Sequence, residues 1–387
     1  MSAQLPINLQ ILQWARTSLG LSLDEVAHMM KKPANVIQDW ESGNSSPSYI
    51  QLETLAYKIY KRPITVFFFP EIPIEDNPQT DFRSMPDDEI KHLPSYMVKL
   101  YRKAKVLQLQ LEELYEGRKP VEINLIDRFA GQTSSNSIAE DIRGYLNIPL
   151  KEQFSWNSQE LAFKNWRNAI ERNGIFIFKD AFRNNSYSGF CIYHDKYPII
   201  FINNSFPSSR QIFTLFHELW HLLIKKGGIS FRNSRILEKY DEPFSGIEVE
   251  CNKFAGEFLV PSKSLNINLL QVEELFIEDL AKKYAVSREV ILRKYLDFGL
   301  ITSKIYRSLA DKWINEADKS KKSGGNYYLT QKQYLGENYI NLVLSQYYQN
   351  RITLENLSDF LHIKEKKSHL SNITFLAHKK VINDSCV

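Results

Sequence analysis

Two histidines and a glutamate near the middle of the chain have the types and spacing of a metal-dependent hydrolytic site. Residues 217–221 have the pattern H-E-x-x-H, and their apolar neighbours predict a buried helix. Side chains four positions apart share a helix face, so His217 and His221 could bind one zinc ion. Glu218 would then lie beside the metal, placed to take a proton from a water held there. An ordinary helix with two hydrogen-bonded histidines is the alternative interpretation.

A third zinc ligand must come from a second helix, which we predict over residues 245–260, before Pro261. Glu250 falls within the apolar positions of this helix, where an unpaired carboxylate is costly, so we predict it as the third ligand. Glu248 is the competing carboxylate; it faces nearly the opposite side and is expected in solvent. Cys251 is expected to be a small buried hydrophobic residue.

A small sheet is predicted ahead of the H-E-x-x-H helix. Short β-rich runs at 174–178, 189–193 and 198–202 are bounded by turn residues, and amphipathic helices precede them. In zincin-type peptidases an exposed sheet edge pairs with an extended substrate. Pro198 favours the third run as that edge, although an interior strand fits equally well. The predicted fold class is α+β, mostly helical.

Residues 1–70 predict five short helices with a helix-turn-helix. The spacing resembles the XRE (phage-repressor-like) DNA-binding family, through Leu23, Val26, Ala27, Ile37, Trp40, Glu41, Gly43, Pro47, Leu52, Leu55 and Ala56. The resemblance implies a recognition helix over residues 34–40. Ala34, Asn35 and Gln38 would face the major groove, where Asn and Gln can pair with adenine.

The charge of this region is nearly balanced. Residues 1–70 hold six Lys or Arg and five Asp or Glu, so attraction to DNA phosphates is weak. A single copy should bind DNA poorly, and we expect a homodimer or a protein-binding role. A helical module that recognises another protein is the alternative interpretation.

The chain from about residue 83 to residue 301 resembles the ImmA/IrrE family of zinc peptidases. The matching pieces are Phe82-Arg83, the segment from Trp166-Arg167 to Gly174, Gly189-Phe190, Pro198-Ile199-Ile200, the segment from Arg210 to His221, and the segment from Glu250 to Pro261. A fused helix-turn-helix is common in that family. The sequence departs from the family pattern at Trp220, where a small residue is usual, and at Cys251, where alanine is usual.

The resemblance implies a zinc metallopeptidase that cleaves a DNA-binding repressor or antitoxin-like protein, relieving repression in a stress response or mobile element. It also implies Zn²⁺ ligands at His217, His221 and Glu250, with Glu218 as the base. The alternative is an XRE-type regulator or an antitoxin-like protein-binding module with a structural or vestigial zinc site.

Four regions are predicted along the chain: the helix-turn-helix at 1–70, a linker and long helix at 71–130, the peptidase region at 131–310 and a helical extension at 311–387. A second helix-turn-helix-like segment near 275–300 is basic, and we expect it to pack or to dock the repressor rather than bind DNA.

Composition narrows the function classes further. The net charge of +4 over 387 residues gives no overall nucleic-acid-binding signature. No stretch has 18 consecutive apolar residues, and we recognise no signal peptide, so no membrane association is expected. Three widely spaced cysteines, Cys191, Cys251 and Cys386, suggest a reducing compartment. The expected location is the cytoplasm.

Overall fold

The computed structural model describes residues 5–75, 78–82, 90, 93–131, 135–182, 184–231, 244–266, 273–319 and 327–362. The chain forms two compact units, Met1–Lys105 and Val106–Val387. Arg83, the polar linker after residue 319, the tail after residue 367 and Cys386 lie outside the described residues. Within those residues, no helix has the length and apolar character needed to cross a membrane.

The first unit is helical. Its helices are α1 (Leu9–Thr17), α2 (Leu23–Met30), α3 (Ala34–Ser42), α4 (Tyr49–Glu53) and α5 (Pro78–Asp81), with a π-helical segment over Thr54–Tyr60 and a 3-10 turn over Ile64–Phe68. A long helix, α6 (Ser95–Leu114), contains the boundary between the two units. The predicted helix-turn-helix therefore forms from α2 and α3.

Local sequence fixes the ends of these short helices. Ser22 and Glu25 form a reciprocal capping box at the start of α2, and Ser48 and Gln51 form another at the start of α4. Gly43 ends α3 with a left-handed φ of 81°, a conformation that costs glycine little. The side chains of Ile37 and Trp40 on α3 are buried in the core of the unit.

The second unit combines helices with one small sheet. Its elements are α7 (Leu125–Phe129), α8 (Ser135–Tyr145), α9 (Leu150–Phe154), α10 (Gln159–Glu171), β1 (Phe176–Asp180), β2 (Tyr187–Ile192), β3 (Ile199–Asn203), α11 (Ser208–Leu223), β4 (Gly228–Phe231), α12 (Phe244–Leu259), α13 (Glu274–Tyr284), α14 (Arg288–Asp297), α15 (Ser303–Lys319), α16 (Tyr327–Leu335), α17 (Glu337–Tyr348) and α18 (Leu354–Phe360). The predicted fold class, mostly helical α+β, is confirmed.

The sheet has the strand order β1-β3-β2-β4. β3 runs parallel to β1 and antiparallel to β2, and β4 is antiparallel to β2. The prediction that residues 198–202 form an exposed edge is therefore wrong, because β3 is interior and all five of its residues are buried. β4 is an edge strand, and no described strand pairs with its far side.

Aromatic side chains form the core behind the H-E-x-x-H helix. Phe216 on α11 stacks on Phe258 of α12 with ring centroids 4.1 Å apart, and Trp166 of α10 meets Phe216 edge-on at 5.2 Å. Large buried aromatic rings dominate core energetics, so this cluster fixes α11 and α12 against each other.

The second helix-turn-helix-like segment, α13 and α14, belongs to the same core. Ile277, Tyr284 and Ile291 are buried in it. Lys294 is buried and forms an ion pair with Glu257 of α12. These contacts agree with a packing role for the segment.

Candidate functional sites

Helix α11 buries the whole H-E-x-x-H motif. It begins after Pro207 and places His217, Glu218 and His221 in its second half, where each side chain is almost fully shielded from solvent. The two imidazole rings lie on one face, with centroids 5.3 Å apart. One turn of helix thus supplies two nitrogen donors to the same point, as the spacing predicted.

The carboxylate that meets these histidines is Glu248 on α12. Its Oε2 lies 3.1 Å from His217 Nε2, and its Oε1 lies 3.0 Å from His221 Nε2. The Glu248 side chain is only 2% exposed. Glu250, which we predicted as the third ligand, is 38% exposed and pairs with Lys253 at 2.8 Å. The structure corrects that choice, because Glu248 faces the histidines and Glu250 does not.

The correction has a simple cause in helical periodicity. The buried stripe of α12 contains Cys251, Phe254, Ala255 and Phe258, and one turn before Cys251 is residue 248. Val249 is an apolar neighbour of Glu250, but it is 42% exposed and does not belong to this stripe. Spacing counted backward from Cys251 is therefore the sequence signal that would have selected Glu248.

The charges at the site favour ionised Glu248. Burial opposes ionisation of this carboxyl, but His221 and His217 outweigh it and lower its pKa to about 2. The pKa of His217 is raised, because Glu248 outweighs the opposing effect of burial. A buried ionised carboxylate between two imidazoles is a donor set that fits a divalent metal ion.

Glu218 is placed beside this cluster. Its Oε1 accepts a hydrogen bond from Ser230 Oγ on β4, and its Oε2 has no hydrogen-bond partner. Burial raises the pKa of Glu218, although His221 and His217 act in the opposite direction. A carboxylate with a raised pKa is a stronger base than one in water, which suits proton transfer near neutral pH.

Three further residues shape the centre, and sequence analysis did not identify them. Asn252 Oδ1 lies 3.0 Å from His217 Nδ1, so an N–H at Nδ1 can donate to it and leave Nε2 free for a metal. A Cβ on Gly228 would lie 2.6 Å from the His221 ring. Gly189 similarly leaves no room for a Cβ next to Thr214.

Four buried residues bring candidate metal donors together: His217, His221, Glu248 and Cys251. Their nitrogen, oxygen and sulfur donors all lie within 4.8 Å of one another. His217 Nε2, His221 Nε2 and Glu248 Oε1 lie in imidazole–carboxylate contacts of 3.0 to 3.1 Å, yet none of these three atoms makes a hydrogen bond. Buried polar atoms without hydrogen bonds are unusual, and a bound metal would explain them.

Helix α3 presents a different kind of surface. Asn35 and Gln38 are exposed, Ala34 is half-buried, and Ile37 and Trp40 point into the core. The three residues predicted to face DNA are thus on the outward side of α3 or at its border. Their contact with bases stays a prediction.

Two family models match the chain. Residues 170–295 match the IrrE N-terminal-like domain model of Peptidase_M78, and residues 12–56 match the helix-turn-helix model HTH_3. No curated protein matched the chain. The first match covers both helices of the candidate metal centre, and the second covers α2 and α3. The predicted fusion of an ImmA/IrrE-type peptidase region with an XRE-type helix-turn-helix is therefore confirmed.

Proposed function

We propose that this protein is a zinc-dependent peptidase that cleaves a DNA-binding repressor or antitoxin-like protein. The observation that carries the proposal is the convergence of Glu248 on His217 and His221, with Glu218 beside them. The match to the Peptidase_M78 model over residues 170–295 supports it independently.

Zinc would be held by His217, His221 and Glu248, and it would supply Lewis acidity toward water and the scissile carbonyl. Glu218 takes a proton from the attacking water and returns it to the leaving amine. The hydrogen bond from Ser230 fixes Oε1 of Glu218, and Oε2 is left for the proton. The aromatic cluster behind α11 keeps these groups in a fixed geometry.

Strand β4 is the best-placed partner for an extended substrate. It carries Gly228, which lies against His221, and Ser230, which holds Glu218. No described strand occupies its far side. A peptide that pairs with this margin by backbone hydrogen bonds would therefore run next to the catalytic carboxylate.

The helix-turn-helix would bring this centre to DNA. The HTH_3 match and the exposed side chains of Asn35 and Gln38 support DNA binding by the first unit. A repressor bound at an operator is then the kind of protein substrate that DNA binding would bring near the peptidase. Dimerisation would strengthen the binding, since the charge of residues 1–70 is nearly balanced.

The second candidate function is a DNA-binding regulator whose metal site is structural. The observation that favours it is the sulfur of Cys251 among the candidate donors, since four protein ligands are typical of structural zinc sites. In that case DNA binding would not depend on Glu218.

The proposal is tested with the full-length protein and a repressor encoded beside its gene. Glu218→Gln should retain zinc and lower the cleavage rate by about 10²–10⁴-fold, because only the proton acceptor is lost. Glu250→Gln is a matched control that should cleave normally. Cleavage that survives both a chelator and Glu218→Gln would rule out the proposal. Intact DNA binding and regulation in Glu218→Gln, without cleavage by the wild type, would favour the structural site.

A further inference from the structure

Cys251 lies one helical turn after Glu248 on α12, and its side chain is fully buried. Its sulfur belongs to the cluster whose donor atoms lie within 4.8 Å of one another. A buried cysteine is often only a small apolar residue, as the sequence suggested. The neighbouring donors argue otherwise, because His217 Nε2, His221 Nε2 and Glu248 Oε1 are buried without hydrogen-bond partners at the same point.

We propose that Cys251 is a fourth metal ligand and that it closes the resting centre. This inference rests on the proposed function in requiring that the cluster binds a metal, and its consequence for activity also requires that the bound metal be catalytic. Two imidazoles, one carboxylate and one thiolate are four donors, the number that zinc takes in closed tetrahedral sites. Ligation forms one metal–sulfur bond, displaces one water molecule and releases the thiol proton to solvent.

The other described cysteine provides a comparison within the same unit. Cys191 on β2 is equally buried and lies beside Glu218, but it is not in the donor cluster. Its Sγ instead lies 3.9 Å from the carbonyl oxygen of Lys226. Burial and proximity to the active carboxylate are thus common to both cysteines, and position among the metal donors distinguishes Cys251.

A closed centre has a direct consequence for activity. Water or a scissile carbonyl needs a free coordination position, which catalytic zinc sites keep open. In this protein the sulfur of Cys251 occupies that position, so the peptidase is latent until the sulfur leaves. Removing the sulfur should open the position permanently and increase basal hydrolysis.

The test uses the full-length protein with Co²⁺ in place of zinc, because a thiolate ligand gives Co²⁺ a sulfur-to-metal charge-transfer band in the near ultraviolet. The wild type and Cys191→Ala should both show this band. Cys251→Ala and Cys251→Ser should lose it while they keep the visible Co²⁺ bands. X-ray absorption of the zinc protein should show one sulfur at about 2.3 Å in the wild type and none in Cys251→Ala.

The chelator kinetics give a second readout. Cys251→Ala should lose zinc to a chelator at least about tenfold faster than Cys191→Ala. Loss of a group that only supports a ligand already lowers metal affinity by about 10–100-fold, and loss of the ligand itself should lower it at least as much. A wild-type protein with visible Co²⁺ bands but no sulfur band would overturn the inference and leave the proposed peptidase intact. A sulfur band that disappears in Cys191→Ala instead would also overturn it. A wild type that binds no metal would overturn the proposed function itself.

Discussion

The helices of the candidate metal centre and α3, the predicted recognition helix, place their polar residues in opposite ways. On α11 and α12 the candidate metal ligands point inward, and His217, His221 and Glu248 are buried against one another. On α3 the apolar side chains point inward, and Asn35 and Gln38 face solvent. A buried polar group destabilises the fold unless it has a hydrogen-bond, charge or metal partner, whereas an exposed polar group forms hydrogen bonds with water until a binding partner replaces that water. The first arrangement indicates a resident metal ion, and the second indicates a surface for recognition.

The largest effect is expected from Glu248 on α12, with Glu250 on the same helix as its control. Glu248→Gln should weaken zinc binding by more than about 100-fold, because it removes a charged donor that contacts both histidines. Glu250→Gln should leave zinc affinity unchanged, since Glu250 pairs with Lys253 on the outer side. Competitive titration against a chromophoric chelator measures both. Equal losses in the two variants would contradict the assignment of Glu248.

A smaller effect is expected from the glycine that faces His221. Gly228→Ala should weaken zinc binding by roughly 10–100-fold, the range seen when groups that orient a ligand are removed, because a Cβ there would lie 2.6 Å from the imidazole ring. Gly256→Ala on α12 is the control, since nothing lies within 4 Å of its added Cβ. The same chelator titration applies. Unchanged affinity in Gly228→Ala would show that the His221 ring can move without loss.

Substitutions on α3 should affect neither zinc binding nor, to a measurable extent, stability, and their expected effect is on DNA binding alone. The double substitution of Asn35 and Gln38 by Ala should weaken specific DNA binding by about 1–3 kcal/mol for each side chain that hydrogen-bonds a base in the wild type. The free energy of unfolding should change by less than about 0.5 kcal/mol for each substitution, because both side chains are exposed. Gln13→Ala, an exposed glutamine on α1, is the control. Mobility shift with selected DNA measures affinity. Weaker binding in Gln13→Ala but not in the double variant would place the DNA surface elsewhere.

The features that depend on residues close together in the chain were predicted well from the sequence. The helices within residues 1–70 were predicted from the sequence, and the structure shows capping residues and a turn glycine at their ends. The spacing of His217 and His221 predicted a shared face. These features depend on neighbours within a few residues. The choice between Glu248 and Glu250 also depended on spacing, but Val249 obscured the buried stripe.

The strand order and the contacts between separate elements could not be predicted from the sequence. The position of β3 between β1 and β2 depends on contacts between segments far apart in the chain, and a proline before the strand says little about them. Ser230 and Asn252 were missed for the same reason. Each acts on a side chain of α11 from another element, so nothing in its local sequence marks it.

The packing of the C-terminal helices gives the sheet two unequal margins. Helix α16 lies against β1, and Tyr339 of α17 packs edge-on against Phe178 with ring centroids 5.3 Å apart. A helical cover of this kind protects a strand from adventitious pairing with other chains. Under the proposed function, a substrate peptide would therefore pair with β4 at the opposite edge of the sheet. The C-terminal helices would then restrict peptide pairing to the edge that lies next to the histidines.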